Sequence, residues 1–260
     1  MMQKEEQLLE KRLLELSRLA YNRDIITFSD FLNLNELNIL HSLPKDSLYA
    51  GYVTFGGYEL AERQMAAFLP DALSLRGEKD IGRFFTNEIA VLSIAPLHHK
   101  YAENLTHRDY LGAILNLGIE RSKIGDILID QKEAFLITRT KMVDFLIEEL
   151  TRIKHTTVLV RETELLNFQY QPRFEEIKGT VASIRLDSLL ALAFSTSRSS
   201  LTGLIEGGKV FVNGKLITSN GYQPKENDVI SVRGMGKFLF FEILNKTRKN
   251  RIYVTIHKYI

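Results

Sequence analysis

The sequence predicts an α+β protein with three parts: a mostly helical N-terminal region over 1–85, a mixed module over 86–162 and a small domain over 181–260. In the first part, apolar residues recur at the three- and four-residue spacing of an amphipathic helix. In the second, apolar runs and helical patterns alternate in the order β-α-β-β-α-β. In the third, two short helical patterns precede several short alternating segments, which is typical of two helices packed on a small twisted sheet.

The N-terminal region is expected to open with a helix, because four apolar residues between Leu9 and Ala20 fall on one face of a 3.6-residue period. A second helix is expected to begin near Ser29–Asp30, since both residue types favour the N-cap. The stretch "LYAGYVTFGGYEL" predicts a strand and a turn, and "ELAERQMAAFL" predicts a short helix that Pro70 ends.

The middle module is predicted from six consecutive elements. The strands are expected in "EIAVLSIAPL", "GDILID", "EAFLITR" and "HTTVLVRE". Thr106 and Asp109 are expected to form a capping box at the start of the first helix, and "TKMVDFLIEELTRI" predicts the second helix. This order predicts a ferredoxin-like sheet, the architecture that RNA recognition motifs also use.

The order of elements does not by itself establish RNA binding by the middle module. RNA recognition motifs stack bases on aromatic side chains of their central strands. Here the third strand offers only Phe135 and the first strand offers no aromatic residue. The module is therefore interpreted either as an unusual contact to RNA or the ribosome, or as a structural scaffold.

The C-terminal domain follows a segment, 163–180, that breaks the periodicity and predicts a linker or a crossover strand. The segment "RLDSLLALAF" predicts one helix, and Ser197 is expected to be the N-cap of a second. Gly207–Gly208 is expected to end that helix, because glycine readily adopts the left-handed C-cap conformation. The segment "KVFVNGKLI" then predicts two strands joined by an Asn-Gly turn.

The composition predicts a cytoplasmic protein without a membrane span. The chain contains no cysteine, which excludes disulfides, thiol nucleophiles and cysteine-bound zinc and fits a reducing cytoplasm. No apolar run approaches the roughly 18 residues that cross a bilayer. The charged start "MMQKEEQLLEKRLLELSRLA" also lacks the apolar segment of a signal peptide.

Charge is distributed unevenly along the chain. Residues 181–260 hold 12 Lys and Arg against 5 Asp and Glu, whereas the remaining residues hold 22 against 27. A basic domain on an acidic body predicts a polyanionic partner, with nucleic acid favoured. A solvated basic face without a partner is the alternative interpretation.

Residues 183–243 resemble the S4 RNA-binding domain. An Arg-Leu-Asp start, a Ser-Arg-Ser triplet, a Val-Asn-Gly turn and a closing Val-Arg-Gly occur in the order of that family. The resemblance implies that the second helix and the loop after it face structured RNA. The candidate RNA-binding residues in this domain are Arg185, Ser197, Arg198, Ser199, Thr202, Lys209, Asn213 and Lys215.

The position of Arg198 agrees with an anionic partner. The dipole at a helix start disfavours a cation, so Arg198 gains nothing for its own helix. A guanidinium can donate two parallel hydrogen bonds to a phosphate, and the backbone N–H groups of a helix start also attract phosphate. Two positions depart from the family pattern: Asn227 replaces a common glycine, and Ser200 replaces a common basic residue.

The C-terminal tail adds a second group of cations. Within "NKTRKNRIYVTIHKYI", four basic residues are expected to add phosphate contacts, although a solvated turn between strands is the alternative. These residues are Lys246, Arg248, Lys249 and Arg251.

The order of the three parts resembles the YlmH family of bacterial S4 proteins over the whole chain. The resemblance implies a non-catalytic protein that binds ribosomal RNA or tRNA and associates with the ribosome, in particular its large subunit. Members are encoded beside cell-division genes and are linked to quality control of stalled large subunits that still carry peptidyl-tRNA. No cofactor, metal or small-molecule substrate is implied.

Catalytic and metal-binding interpretations are not favoured by the sequence. His98 and His99 are adjacent on a predicted loop and lack a third ligand at a suitable spacing. The glycine-rich "GYVTFGGYEL" lacks the spacing of phosphate-binding loops, and Glu148 and Glu149 point apart on a helix. Two alternatives stay open: a protein-interaction adaptor linked to cell division, and an RNA-modifying enzyme.

Overall fold

The structure is a computed structural model that divides into two compact units, Met1–Tyr170 and Gln171–Ile260. The described residues are 2–74, 81–165, 168, 170, 172–247 and 250–259. The description covers the backbone alone for Met2, Gln3, Ser74, Arg198 and Ser199.

The first unit contains the N-terminal region and the middle module. Its helices are α1 (Met2–Arg23), α2 (Leu34–Ser42), α3 (Asp71–Ser74), α4 (His107–Asn116) and α5 (Val143–Glu149). Its strands are β1 (Thr27–Phe28), β2 (Gly51–Phe55), β3 (Met65–Leu69), β4 (Ile89–Pro96), β5 (Ile124–Asp130), β6 (Glu133–Arg139), β7 (Arg152–Ile153) and β8 (Thr156–Thr163). None of the described helices is both long and apolar enough to cross a membrane.

Helices α1 and α2 confirm the predicted helical start of the chain. The apolar face of α1 is buried through Leu13, Leu16 and Ala20. The predicted start of α2 near Ser29–Asp30 is wrong, because Asn33 is the N-cap. The Asn33 N–H donates to Glu36 Oε2 at 2.7 Å, and Asn33 Oδ1 accepts the Glu36 N–H at 3.2 Å, which forms a capping box.

The segment "ELAERQMAAFL" is not a helix. Its second half forms β3, the central strand of a three-stranded sheet with the order β1-β3-β2, and every residue of β3 is buried. Ala66 and Phe68 pack against the cluster around α1, whereas Met65 and Ala67 pack on the opposite side. A strand buried on both faces shows no polar alternation, so its sequence is easily mistaken for a buried helix.

The middle module confirms the ferredoxin-like prediction. Its antiparallel strands have the order β5-β6-β4-β8-β7, with Val91 opposite Ile137 and Ile94 opposite Val160. The second helix is shorter than predicted: α5 ends at Glu149, and Arg152–Ile153 turn back as strand β7.

The two faces of the middle sheet are covered by different elements. On one face, Leu92 packs with Tyr110 of α4 and Leu146 of α5. On the other, Val91 and Ile137 pack with residues of the N-terminal region, and both are fully buried. The central part of the face on which an RNA recognition motif stacks bases is therefore already occupied by protein.

The second unit consists of two helices and a six-stranded antiparallel sheet with the order β11-β10-β12-β13-β14-β9. The helices are α6 (Leu186–Ala193) and α7 (Arg198–Glu206). The strands are β9 (Phe174–Val181), β10 (Val210–Val212), β11 (Lys215–Leu216), β12 (Val229–Val232), β13 (Gly236–Lys246) and β14 (Ile252–Tyr259). Strand β9 lies in the segment expected to be a linker or a crossover strand, and it pairs along its length with β14.

Both helices pack on one face of this sheet. Leu189 of α6 and Leu201 of α7 are fully buried against strand residues such as Val254 and Ile256. The predicted Asn-Gly turn between β10 and β11 is confirmed, because Asn213 and Gly214 both have positive φ, at 49° and 78°.

Candidate nucleic-acid interface

Helix α7 begins where the Ser-Arg-Ser triplet predicted. Ser197 is the N-cap, and its Oγ accepts the Ser200 N–H at 3.4 Å, while the Ser200 hydroxyl donates to the Ser197 carbonyl at 2.8 Å. Arg198 is the first residue of the helix, and Thr202 lies half-buried one turn later. The side chains of Arg198 and Ser199 lie outside the described residues, so their RNA contacts stay predictions.

Lys209 and Arg233 form a pair of adjacent cations at one end of the sheet. The Lys209 carbonyl accepts the Arg233 N–H at 2.9 Å, where β10 begins and β12 has just ended. Both residues are exposed, and neither side chain forms an ion pair within the described part of the chain. Arg233 was missed as a candidate, although it belongs to the closing Val-Arg-Gly.

Asn213 holds together two turns at the other end of β10. Its Nδ2 donates to Asp228 Oδ1 at 2.8 Å, and its Oδ1 accepts the Val229 N–H at 2.9 Å. The neighbouring Asn227 has φ of 68°, so asparagine does adopt the left-handed conformation that the sequence required there. The Asn213 amide thus positions the turn from which the exposed Lys215 projects.

Arg185 is the N-cap residue of α6 and is held by an acid of the same helix. Its Nε and Nη2 donate to the two carboxylate oxygens of Asp187 at 3.2 and 3.3 Å. The Arg185 side chain remains 42% exposed, whereas that of Asp187 is 12% exposed. This pair fixes the direction of the guanidinium and leaves part of it accessible to an anion.

In the basic tail, Lys246 ends β13 and Arg251 directly precedes β14, and these two strands pair as a hairpin. Arg251 Nε donates to Thr180 Oγ1 at 3.0 Å and its Nη2 donates to the Thr180 carbonyl at 2.6 Å, which ties the hairpin to β9. Lys246 is exposed at the end of β13. Arg248 and Lys249 lie outside the described residues.

The register separates the candidate residues into groups. Lys209 directly precedes β10, and Lys215 pairs with Val212, the last residue of β10. Along the strand the two lysines therefore lie about 10 Å apart, at 3.3 Å per residue. Arg251 and Arg185 instead flank the end of β9, because Arg251 binds Thr180 and Arg185 follows Val181 by four positions. The C-terminal unit therefore presents cations from several separate loops, which suits an extended polyanion better than a single small ligand.

The described residues provide no evident site for a metal ion. No group of three or more histidine or acidic side chains within them could hold one. His99 Nε2 lies 3.8 Å from Glu133 Oε1, but both side chains are largely exposed, and His98 is also on the surface.

A small antiparallel sheet covered on one face by two short helices, with cations at the helix starts and strand ends, defines an RNA-binding domain of the S4 class. The family model described as "S4 domain" matches residues 184–230, and the one described as "Putative RNA-binding domain in YlmH" matches 87–167. In both matched domains the chain is similar to the YlmH family of S4-domain proteins.

Two known proteins are similar to most of the chain. The Bacillus subtilis protein named "Ribosome-associated protein quality control protein P2" is 28% identical over 259 residues, which span 98% of this chain and 96% of that protein. The solved structure named "Cell division protein ylmH from Streptococcus pneumoniae" is 22% identical, with a TM-score of 0.48. That similarity covers 61% of this chain and 91% of the solved one.

Proposed function

We propose that this protein binds structured RNA of the large ribosomal subunit, with its C-terminal unit making the principal contact. The observation that carries the proposal is the pair formed by Lys209 and Arg233. Two cations held side by side repel each other, and here a backbone hydrogen bond keeps them together without a described carboxylate partner. Such an arrangement is stabilised when an anion binds to both side chains.

Structured RNA is the polyanion that best suits the rest of the unit. The positive charge extends to the start of α6 and to the ends of two strands, through Arg185, Lys215 and Lys246. Folded RNA is recognised mainly by its shape and by contacts to phosphate and ribose, which cations on separate loops can supply. The family matched by the middle module is described as a putative RNA-binding domain, and the S4 domain that the C-terminal unit resembles is also an RNA-binding domain.

The ribosome is favoured as the source of this RNA by the similarity to the Bacillus subtilis quality control protein, which extends over nearly both full lengths. We propose a non-catalytic role on stalled large subunits that still carry peptidyl-tRNA. This role places the protein in the cytoplasm.

Sedimentation with purified ribosomal subunits tests the proposal. We expect the wild-type protein to migrate with the large subunit at low salt and to dissociate as salt rises, because phosphate contacts weaken steeply with ionic strength. Arg198→Ala and the double variant Lys209→Ala/Arg233→Ala should lose most of this association. Lys11→Ala, which removes an exposed lysine from α1, is the matched control and should behave as the wild type.

Two results would contradict the proposal. Association that is indifferent to salt and to the C-terminal variants would favour a protein-interaction adaptor instead. Equal binding to empty large subunits and to subunits loaded with peptidyl-tRNA would remove the tRNA from the proposed role.

A further inference from the structure

Three aromatic rings form a column across the face of the C-terminal sheet opposite α6 and α7. Phe174 of β9, His257 of β14 and Phe241 of β13 come from three neighbouring strands. The His257 ring lies 4.1 Å from the Phe174 ring at an angle of 17°, and 4.2 Å from the Phe241 ring at 20°. These three residues are called the aromatic column below.

The aromatic column ends in an accessible ring. Phe174 is 48% exposed and Phe241 is 38% exposed, whereas the central His257 side chain is only 12% exposed. Strand β9 is the last strand in the sheet order, so Phe174 lies at the sheet edge. Within the described residues, no other ring stacks on the outer face of Phe174.

An acidic side chain of β9 lies beside the central ring. Glu176 Oε2 lies 3.8 Å from His257 Nε2, and the other carboxylate oxygen of Glu176 lies 2.6 Å from Lys178 Nζ. Because Glu176 follows Phe174 by two positions on β9, it shares the face of the aromatic column. Because two rings enclose the largely buried His257 ring, the stack is preorganised, and a planar ligand would add to it without rearranging it.

The surroundings of the aromatic column favour a nucleic acid. Residues 171–260 hold 14 Lys and Arg against 7 Asp and Glu. Tyr259 pairs with Phe174 in register, and Lys237 lies over the Tyr259 ring at 5.7 Å. Proteins that bind single-stranded nucleic acid combine exposed aromatic rings with nearby cations in this way, because every base has a flat face that can stack.

We propose that the aromatic column is a stacking site for an unpaired base of RNA, with Phe174 as its platform. The inference rests on the proposed function only in taking RNA as the ligand. The column lies on the sheet face opposite the helices, so an unpaired nucleotide can occupy it while structured RNA contacts α7. The C-terminal unit would then stack bases, which the middle module cannot do because the corresponding face of its sheet is covered by protein.

Binding of an octaadenylate that contains one 2-aminopurine base tests the inference, because stacking quenches the fluorescence of that base. We expect the full-length wild-type protein to quench it and Phe174→Leu to weaken binding by about five-fold to about a hundred-fold. Phe174→Tyr keeps a flat ring and should bind as the wild type does. Phe145→Leu, at a phenylalanine of α5 that is 41% exposed, should change nothing.

The results that would contradict the stacking site differ from those that would contradict the ribosome proposal. An unquenched wild type, or a Phe174→Leu variant that quenches normally, would overturn the stacking site whatever the subunits do. A dimer that Phe174→Leu dissociates in sedimentation equilibrium would also overturn it, in favour of a second copy at the column. Quenching that depends on the ring at 174, without any migration on ribosomal subunits, would support the stacking site and contradict the ribosome proposal.

Discussion

At the scale of single residues, the first unit depends on Asp126 to join distant segments. Its carboxylate accepts the Tyr58 hydroxyl at 2.9 Å and the backbone N–H groups of Glu62 and Arg63 at 2.8 and 3.2 Å. Burial, and then the Asp126 charge, raise the pKa of Tyr58, so its hydroxyl remains protonated and continues to donate. Three donors therefore hydrogen-bond to the Asp126 carboxylate, which can only accept hydrogen bonds.

Asp126→Asn should destabilise the first unit, because the amide NH₂ would face donors and leave at least one of them unpaired. We expect a loss of about 1–3 kcal/mol in the free energy of unfolding, measured by urea denaturation. Asp46→Asn changes an exposed acid of the same unit and should stay within about 0.5 kcal/mol of the wild type. Equal stabilities of the two variants would contradict this role of Asp126.

At the scale of elements, the start of α4 depends on an ionised carboxylate. Asp109 Oδ1 lies 2.7 Å from Lys154 Nζ, and its Oδ2 accepts the N–H and the hydroxyl of Thr106, both at 2.8 Å. The Lys154 hydrogen bond, followed by those from Thr106, lowers the pKa of Asp109 to about 2. The folded pKa lies below the unfolded value of about 3.9, so folding favours the charged form.

The contribution of Asp109 should therefore be complete above about pH 4 and should disappear as the pH falls toward 2. We expect Asp109→Asn to melt at a lower temperature than the wild type at pH 7. The difference should shrink as Asp109 of the wild type becomes protonated, and melting curves at pH 7, 4 and 3 would measure it. A difference that is constant over this range would show that the charge of Asp109 is irrelevant to the helix start.

Elements with local signals were predictable from the sequence, and those that depend on distant partners were not. The Thr106–Asp109 start of α4 and the Asn-Gly turn at 213–214 are fixed by residues close in sequence, and both were predicted. Strand β3 was mistaken for a helix, because its burial comes from α1 on one side and the middle sheet on the other. Strand β7 forms by pairing with β8, which is not visible in the local sequence. Its residues were therefore assigned to the end of the preceding helix.

In the candidate interface, too, features with a local signal were predictable and those that depend on distant partners were not. The start of α7 and its N-cap Ser197 follow from a local pattern, as does the asparagine turn at 227. The pairing of Arg233 with Lys209 depends on the register between β10 and β12. The aromatic column contains one residue from each of three strands, and these residues are up to 83 positions apart in the chain. No short sequence motif could therefore predict it.

At the scale of the whole molecule, the charge is divided between the two units. Residues 171–260 carry twice as many basic as acidic residues, whereas the rest of the chain carries more acidic residues than basic ones. Attraction to RNA phosphates should therefore act mainly on the C-terminal unit, and the first unit should add little to the salt dependence of binding.

The two proposed contacts of the C-terminal unit differ in physical origin, so salt should separate them. A phosphate contact contributes about 0.7 to 0.9 to the slope of log affinity against log salt, whereas stacking contributes almost nothing. We expect Arg233→Ala to flatten the slope for a hairpin RNA with an unpaired tail, and Phe174→Leu to lower the affinity equally at every salt concentration. The two losses should add in the double variant, because the residues lie on separate parts of the sheet. A flattened slope for Phe174→Leu would instead mean that the aromatic column acts only by positioning cations.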